Sequence, residues 1–455
     1  MTKFIFGFNI LLNVKCFVEP QFEAQLEEMK AAWETGGVEG CTQLLESKRD
    51  GWKEVPLNVA VIGSSGVGKS SFINTIRGLS ADDEAAAEVD VIETTMEICS
   101  YPDRENSMLL FWDLPGVGTK KFPRATYLTD IDVDRYDFFL LVTADRFTEI
   151  DTWLGQEFRD RNKNFFFVRT KIGVDVFNNM MTYRERHNEE AVIDKIRQST
   201  ECHLIADGFN DVPMFLIDNY APQKFDFEKL KQHLIKVCPE EKRSALVLSL
   251  QSTSEDMIKL KVAELRRRIW KCAVASAAAG AIPFPIVGLA VSLSVDIGIV
   301  IGESRFYFKQ LGLDSESLKR YSTLYGVDYE GMQAIVNKVL GIKAAGAVTA
   351  DLMKTIVLLT LRSSVPKLAA AGAAKLAKVV TGFIPVIGSV LSASASFGGT
   401  YFSLKVMLAK FEETASEVMK YVAASIATAK KTDTAKQATG SDDTESAGGV
   451  KELPS

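Results

Sequence analysis

Residues 57–71 read Leu-Asn-Val-Ala-Val-Ile-Gly-Ser-Ser-Gly-Val-Gly-Lys-Ser-Ser, and no other run constrains the fold so strongly. A strand-forming segment, Leu57–Ile62, leads into Gly63-Ser64-Ser65-Gly66-Val67-Gly68-Lys69-Ser70, of the form GxxxxGK[ST], and a helical pattern starts at Ser71. Strand, glycine-rich turn and helix N-terminus in that order make a phosphate cradle. Glycines let successive backbone N–H groups face the phosphates without Cβ obstruction. The helix start adds partial positive charge. The Lys69 ammonium can reach β- and γ-phosphates, and the Ser70 hydroxyl can ligate Mg²⁺. Gly63 to Ser71 are therefore candidate phosphate contacts, and the chain needs a sheet on which to mount them.

That sheet is legible downstream. Met108–Trp112, Asp137–Thr143, Asn164–Thr170 and Pro213–Asp218 read as further strands between helical stretches, which specifies crossover units and a mainly parallel sheet. Thr94–Ser100 reads as an antiparallel edge strand with Tyr101-Pro102 at its turn. From Pro239 to Lys430 no strand signal stands out. After Lys430 aromatic residues cease, which predicts a disordered tail. The expected class is α/β: a P-loop domain over 56–238, and an all-helical domain built from an N-terminal segment, 1–55, and a C-terminal one, 239–430, with the tail at 431–455. The apolar stretch Phe4–Leu12 is too short to span a bilayer. Thr2 rules out myristoylation, so an arm packed on the protein is expected.

A second motif, Asp113-Leu114-Pro115-Gly116, follows the run Met108–Trp112. An Asp at a strand end can hold Mg²⁺ through water, and the Gly116 N–H can touch a γ-phosphate. Behind this P-loop the pair marks a GTPase-type switch rather than a kinase. With GSSGVGKSSFINTIRGL at 63–79, ETTMEICSYP at 93–102, FWDLPGVGT at 111–119, YDFFLLV at 136–142, FFFVRTK at 165–171 and FLIDN at 215–219, the chain resembles the interferon-inducible immunity-related GTPase family over about residues 20–430. The resemblance implies a Ras-like GTPase domain set into a helical domain, with GTP or GDP and Mg²⁺ as ligands. It implies a dynamin-like protein that self-associates as a nucleotide-dependent dimer or oligomer and meets related GTPases. It also implies a cytoplasmic location, peripheral contact with intracellular membranes and a role in cell-autonomous innate immunity. Residue by residue, it places the switch threonine at Thr95, with Thr94 as the neighbouring alternative. Thr95 would complete the Mg²⁺ shell with Ser70 and Asp113. Glu93 takes an acidic position that aids hydrolysis across a dimer, so Lys69, Thr95 and Glu93 form the expected catalytic set. Thr170 and Lys171 belong to the guanine motif, and Asp218-Asn219 read the base through backbone and small polar groups.

Two departures stand out. Val117 follows Gly116, where a Ras-like site carries a water-positioning Gln. The family shares this lack, which implies slow turnover that rises with protein concentration. The guanine motif TKxD reads Thr170-Lys171-Ile172-Gly173, without its carboxylate. A charge-assisted hydrogen bond contributes about 1.5–3 kcal/mol, so losing a bidentate one predicts guanine binding weaker by roughly 10- to 100-fold or more. The nearest carboxylate, Asp175, is two residues late and matches a second acidic position of the family.

Two similar uncharged stretches, Cys272–Val295 and Val379–Leu404, account for a mean hydropathy of +0.04. Each is long enough to span a bilayer, but Pro-Gly signals at 281–288 and 382–388 predict a break into two short helices. Either they form the core of the helical domain or they engage membrane. Between them Lys367, Lys375 and Lys378 share one helical arc. That arc is either a solvated face or a basic amphipathic surface for anionic lipid. The net charge of −6 disfavours nucleic acid as a partner. Six widely spaced cysteines offer no metal or disulfide framework. Three readings stay open: a GTP switch that assembles on membranes, a nucleotide-binding regulator or scaffold with little hydrolysis, and a membrane-inserting effector gated by its nucleotide domain.

Overall fold

The computed structural model describes residues 51–89, 97–280, 287–341 and 385–439, with isolated helical positions between 28 and 47. Six strands form one sheet: β1 (Leu57–Ile62), β2 (Cys99–Pro102), β3 (Leu109–Asp113), β4 (Phe138–Thr143), β5 (Asn164–Arg169) and β6 (Met214–Leu216), in the order β2-β3-β1-β4-β5-β6. Every pairing is parallel except that of β2 with β3. The chain leaves β1 first towards β3 and then returns to β4 on the other side. That opens a crevice at the C-terminal strand ends, where open α/β sheets bind ligands.

Strand alternation divides the core. Leu57, Val59 and Val61 of β1 and Phe138, Leu140 and Val142 of β4 face one side. Helix α1 (Lys69–Arg77) covers that side with Phe72, Ile73 and Ile76. Ala60, Ile62, Phe139 and Leu141 face the other side, against Tyr127 of the short helix α2 (Tyr127–Asp130) and Leu154 and Phe158 of α3 (Glu149–Asp160). The Phe139 and Phe158 rings stack at 4.0 Å between centroids. Each such fully buried side chain contributes about 1.5–3 kcal/mol. Further along, α4 (Ile172–Thr182) and α5 (Glu189–Ala206) precede β6, and α6 (Phe227–Val237) follows it.

The edge strand departs from expectation. Tyr101 and Pro102 are the last residues of β2, in register with Phe111 and Leu110, rather than a turn. The turn lies beyond them, where Asp103 Oδ1 accepts from the amides of Glu105 (2.9 Å) and Asn106 (3.2 Å). Pro102 is tolerated because β2 is the sheet edge, where a missing N–H breaks no ladder. Residues 94–96 of the expected strand lie outside the described residues.

Helix α7 (Glu240–Ser249) begins just after the boundary expected at residue 238, yet it serves both cores. Its Leu246 and Val247 pack beneath the sheet, whereas Leu248 enters the helical core. That second core is built by α8 (Glu255–Gly280), α9 (Val287–Gln310), α10 (Ser315–Tyr325), α11 (Tyr329–Leu340) and α12 (Pro385–Thr439). Leu265, Tyr307, Tyr321, Met332 and Phe411 fill it, and Trp52, from before the sheet, joins it 6.2 Å from the Phe306 ring. The two uncharged stretches meet there: Ser276 Oγ lies 2.9 Å from Thr400 Oγ1, both buried. Residues 281–286, where the first break is expected, lie outside the described residues, and the helices on either side, α8 and α9, are long rather than short. No helix among the described residues is long and apolar enough to cross a membrane. Helix α12 continues to Thr439, so residues 431–439, read as tail, are helical. The segment contains no Gly or Pro until Gly440, and Gly is where helices stop. Lys367, Lys375 and Lys378 lie outside the described residues, as does most of the N-terminal segment 1–50.

Candidate functional site

At the C-terminal end of β1 the chain must turn sharply beneath β4. A Cβ on Gly63 would stand 2.1 Å from the Val142 carbonyl oxygen, so only glycine fits. Gly68 caps α1 with φ +93°, in the left-handed region. The helix starts at Lys69, two residues earlier than the sequence pattern suggests, so the amides of Lys69 to Ser71 belong to its first turn and lack intrahelical partners. Lys69 is 6% exposed, and its Nζ donates back to the Ser64 carbonyl at 3.2 Å across the loop. Ser64, Ser65 and Gly66 form the exposed rim of the turn, and Val67 is buried beneath it.

The second motif closes on the first. Asp113 is the last residue of β3 and 2% exposed. Its Oδ2 accepts from Ser70 Oγ at 2.7 Å. Leu114 N donates to the Val61 carbonyl at 3.0 Å, and Tyr127 OH donates to the Pro115 carbonyl at 2.8 Å. These bonds hold the turn so that Gly116 leans on Gly63 and Ser64. A hydroxyl and a carboxylate meeting beside a helix N-terminus fit a Mg²⁺-bound phosphate: Ser70 and Asp113 could hold the ion, and Lys69 with the first-turn amides could hold the phosphates.

The segments expected to read the base are also brought together beside the P-loop. Thr170 is fully buried, and its Oγ1 donates to the Val67 carbonyl at 2.6 Å, with the Thr143 carbonyl at 3.2 Å. It locks the P-loop to the ends of β4 and β5. Lys171 is exposed and caps α4 with φ +58°. Asn219 Nδ2 donates to the Gly68 carbonyl at 2.9 Å, and the Asn219 carbonyl accepts from Thr75 Oγ1 at 3.0 Å. The loop after β6 is thereby tied to the P-loop. Asp218 Oδ2 accepts from Gly173 N at 2.9 Å, and Oδ1 from Tyr220 N at 2.9 Å. Asp175 is engaged elsewhere, with Oδ2 accepting from Arg169 Nη2 at 2.8 Å. Glu93, Thr94 and Thr95 lie outside the described residues. Just before them, Ala87 exchanges two hydrogen bonds with the buried Asn74 side chain (2.8 and 2.6 Å), which anchors the chain entering that segment. Sequence reasoning missed Asn74, which sits on a helix with nothing local to mark it.

A family model described as Interferon-inducible GTPase (IIGP) matches residues 23–389. Interferon-inducible GTPase 5 of Rattus norvegicus is 32% identical over 394 residues, which cover 87% of this chain and 81% of the relative. Interferon-inducible GTPase 1 of Mus musculus is 34% identical over 301 residues, 65% of this chain and 72% of the relative. A solved oligomerised bacterial dynamin pair aligns with 92% of this chain and 79% of its own at 11% identity and a TM-score of 0.30, too remote to bear on function. A match running through both the sheet and the helical domain, at this identity, leaves one conclusion: the chain belongs to the interferon-inducible GTPase family.

Proposed function

We propose that this protein is a GTP-binding, slowly hydrolysing, dynamin-like switch that self-assembles at intracellular membranes in cell-autonomous innate immunity. The observation that carries the nucleotide part is the 2.7 Å contact between Ser70 and Asp113, which joins the P-loop to the DxxG turn. Lys69 and the α1 amides would neutralise and orient the phosphates. Ser70 and Asp113 would hold Mg²⁺, which would supply charge neutralisation at the phosphate oxygens. Thr170 and Asn219 keep the two loops in register. Thr95 and Glu93 remain proposed as the switch threonine and as the acidic group acting across a dimer. The Val117 side chain has no polar atom with which to orient water, so turnover is slow in the isolated chain and depends on a second copy or a related GTPase. Membrane contact rests on the basic arc of Lys367, Lys375 and Lys378 and on family membership, because Ala273, Ser276, Thr400 and Leu404 of the uncharged stretches are buried in the helical core.

A second reading, a nucleotide-binding regulator with little hydrolysis, is favoured by Val117 and by Gly173. GTP turnover measured against protein concentration, in wild type and Lys69→Ala, separates the two. Turnover that rises with concentration and vanishes in the variant supports the switch, and tight binding without turnover supports the regulator.

A further inference from the structure

Gly173 leaves a gap in the guanine motif, and a carboxylate from another loop fills it. A Cβ built on Gly173 would stand 2.5 Å from Asp218 Oδ2 and 3.3 Å from Asp218 Cγ. Real Cβ atoms do not sustain the shorter contact. An aspartate at 173 and the Asp218 carboxylate in its observed place therefore exclude one another, and this chain carries the second. Asp218 is 7% exposed and held from both sides, Oδ2 by Gly173 N and Oδ1 by Tyr220 N, each at 2.9 Å. A carboxylate offers about four lone-pair positions. Among the described residues these two amides use one on each oxygen. The free pair matches the adjacent N1–H and 2-amino donors of guanine, and such bidentate charge-assisted hydrogen bonds give specificity as well as affinity. Asn219, the next residue, is bonded to Gly68, which fixes the loop's register against the phosphate cradle. Asp175, the other nearby carboxylate, is occupied by Arg169.

We propose that Asp218 is the guanine-reading carboxylate of this site, delivered from the loop after β6 in place of one at position 173. The proposal rests on the GTP-binding reading above and deepens it: the site selects guanine, and the absent TKxD aspartate does not abolish selection. Inosine lacks the 2-amino group, and xanthine presents a carbonyl there.

The test measures dissociation constants of GTP, ITP and XTP on the full chain, for wild type, Asp218→Asn and the double variant Gly173→Asp with Asp218→Ser. Thermal unfolding confirms that each variant folds. The wild type is expected to prefer GTP over ITP by about 10-fold or more, the worth of about 1.4 kcal/mol, and to bind XTP more weakly still. Asp218→Asn is expected to lose GTP affinity by a similar factor and to gain XTP relative to GTP, because an amide can donate to the 2-carbonyl. The double variant is expected to recover the GTP preference. Wild type binding all three within twofold, or Asp218→Asn leaving the ranking unchanged, overturns the role of Asp218 while GTP binding stands. If the wild type binds none of the three, the GTP-binding reading itself falls. Should Asp218→Asn not fold, the wild-type ranking and the double variant decide.

Discussion

Thr170→Val isolates the buried lock between the P-loop and the sheet. Valine keeps the shape of threonine and removes only the hydroxyl, so packing against β4 and β5 is preserved. What is lost is the 2.6 Å donation to the Val67 carbonyl. Thr143's carbonyl keeps the Thr170 amide at 2.8 Å, so the deficit falls on Val67. A buried acceptor stripped of its donor costs about 1–3 kcal/mol. The loop can relieve this only by opening to water, which shifts it about 5- to 150-fold towards conformations that do not cradle phosphate. Apparent affinity falls with the competent fraction, so GTP binding is expected to weaken by up to the same factor, about 5- to 150-fold. Titration with a fluorescent GTP analogue and urea unfolding of the same samples measure the two effects together. A loss of stability with GTP affinity within twofold of wild type would refute the reasoning, since Thr170 would then be a packing residue only. If neither quantity moved, the bond itself would be in doubt.

Two further predictions concern the contact between the domains and the helical core. Lys261, on α8, is 4% exposed, and its Nζ donates to the Gln310 carbonyl at 3.0 Å and to Gln310 Oε1 at 3.2 Å, near Asp103, Glu105 and Lys231. Burial pushes its ammonium down from 10.5 to about 7, and pushes the neighbouring Asp103 carboxyl up to about 6. Between about pH 7 and 10 the unfolded chain holds the Lys261 proton that the folded chain has released. Stability from this group therefore rises with pH, by about 1.4 kcal/mol per unit at most. Urea midpoints should show wild type gaining roughly 2 kcal/mol more than Lys261→Met from pH 7 to 9, and parallel slopes would count against it. In the helical core, Arg268 donates two hydrogen bonds to the Glu303 carboxylate at 2.6 and 2.8 Å, with side chains 12% and 4% exposed. Glu303→Gln should cost about 3–5 kcal/mol in unfolding free energy, whereas Arg268→Met with Glu303→Leu should cost less. A single variant within about 0.5 kcal/mol of wild type, the range of an ordinary surface substitution, would contradict that assignment.

The parts of this molecule legible in sequence are those whose physics is local. Leu57–Ile62 announces a strand and Gly63 to Gly68 a turn into a helix because alternation and the φ > 0 of Gly66 and Gly68 act over a few residues. Tyr101-Pro102 misled because proline signals a turn unless the strand is an edge, and edge status is a property of the whole sheet. Asn74, Thr170 and Asp218 were opaque in their actual roles for a related reason: each acts through a partner far along the chain, at Ala87, Val67 and Gly173 respectively. The contact between domains is the extreme case. Lys309 pairs with Glu105 across it at 2.9 Å and Ser254 Oγ donates to Glu228 Oε2 at 2.8 Å, and nothing in their local sequence distinguishes them.

The central claim is a GTP switch completed by self-association, and GTP turnover per protein molecule across a wide range of protein concentration tests it most directly. The expected result is a rate that is slow in dilute solution, climbs with concentration and disappears in Lys69→Ala. A rate independent of concentration, or one that survives Lys69→Ala, would contradict it.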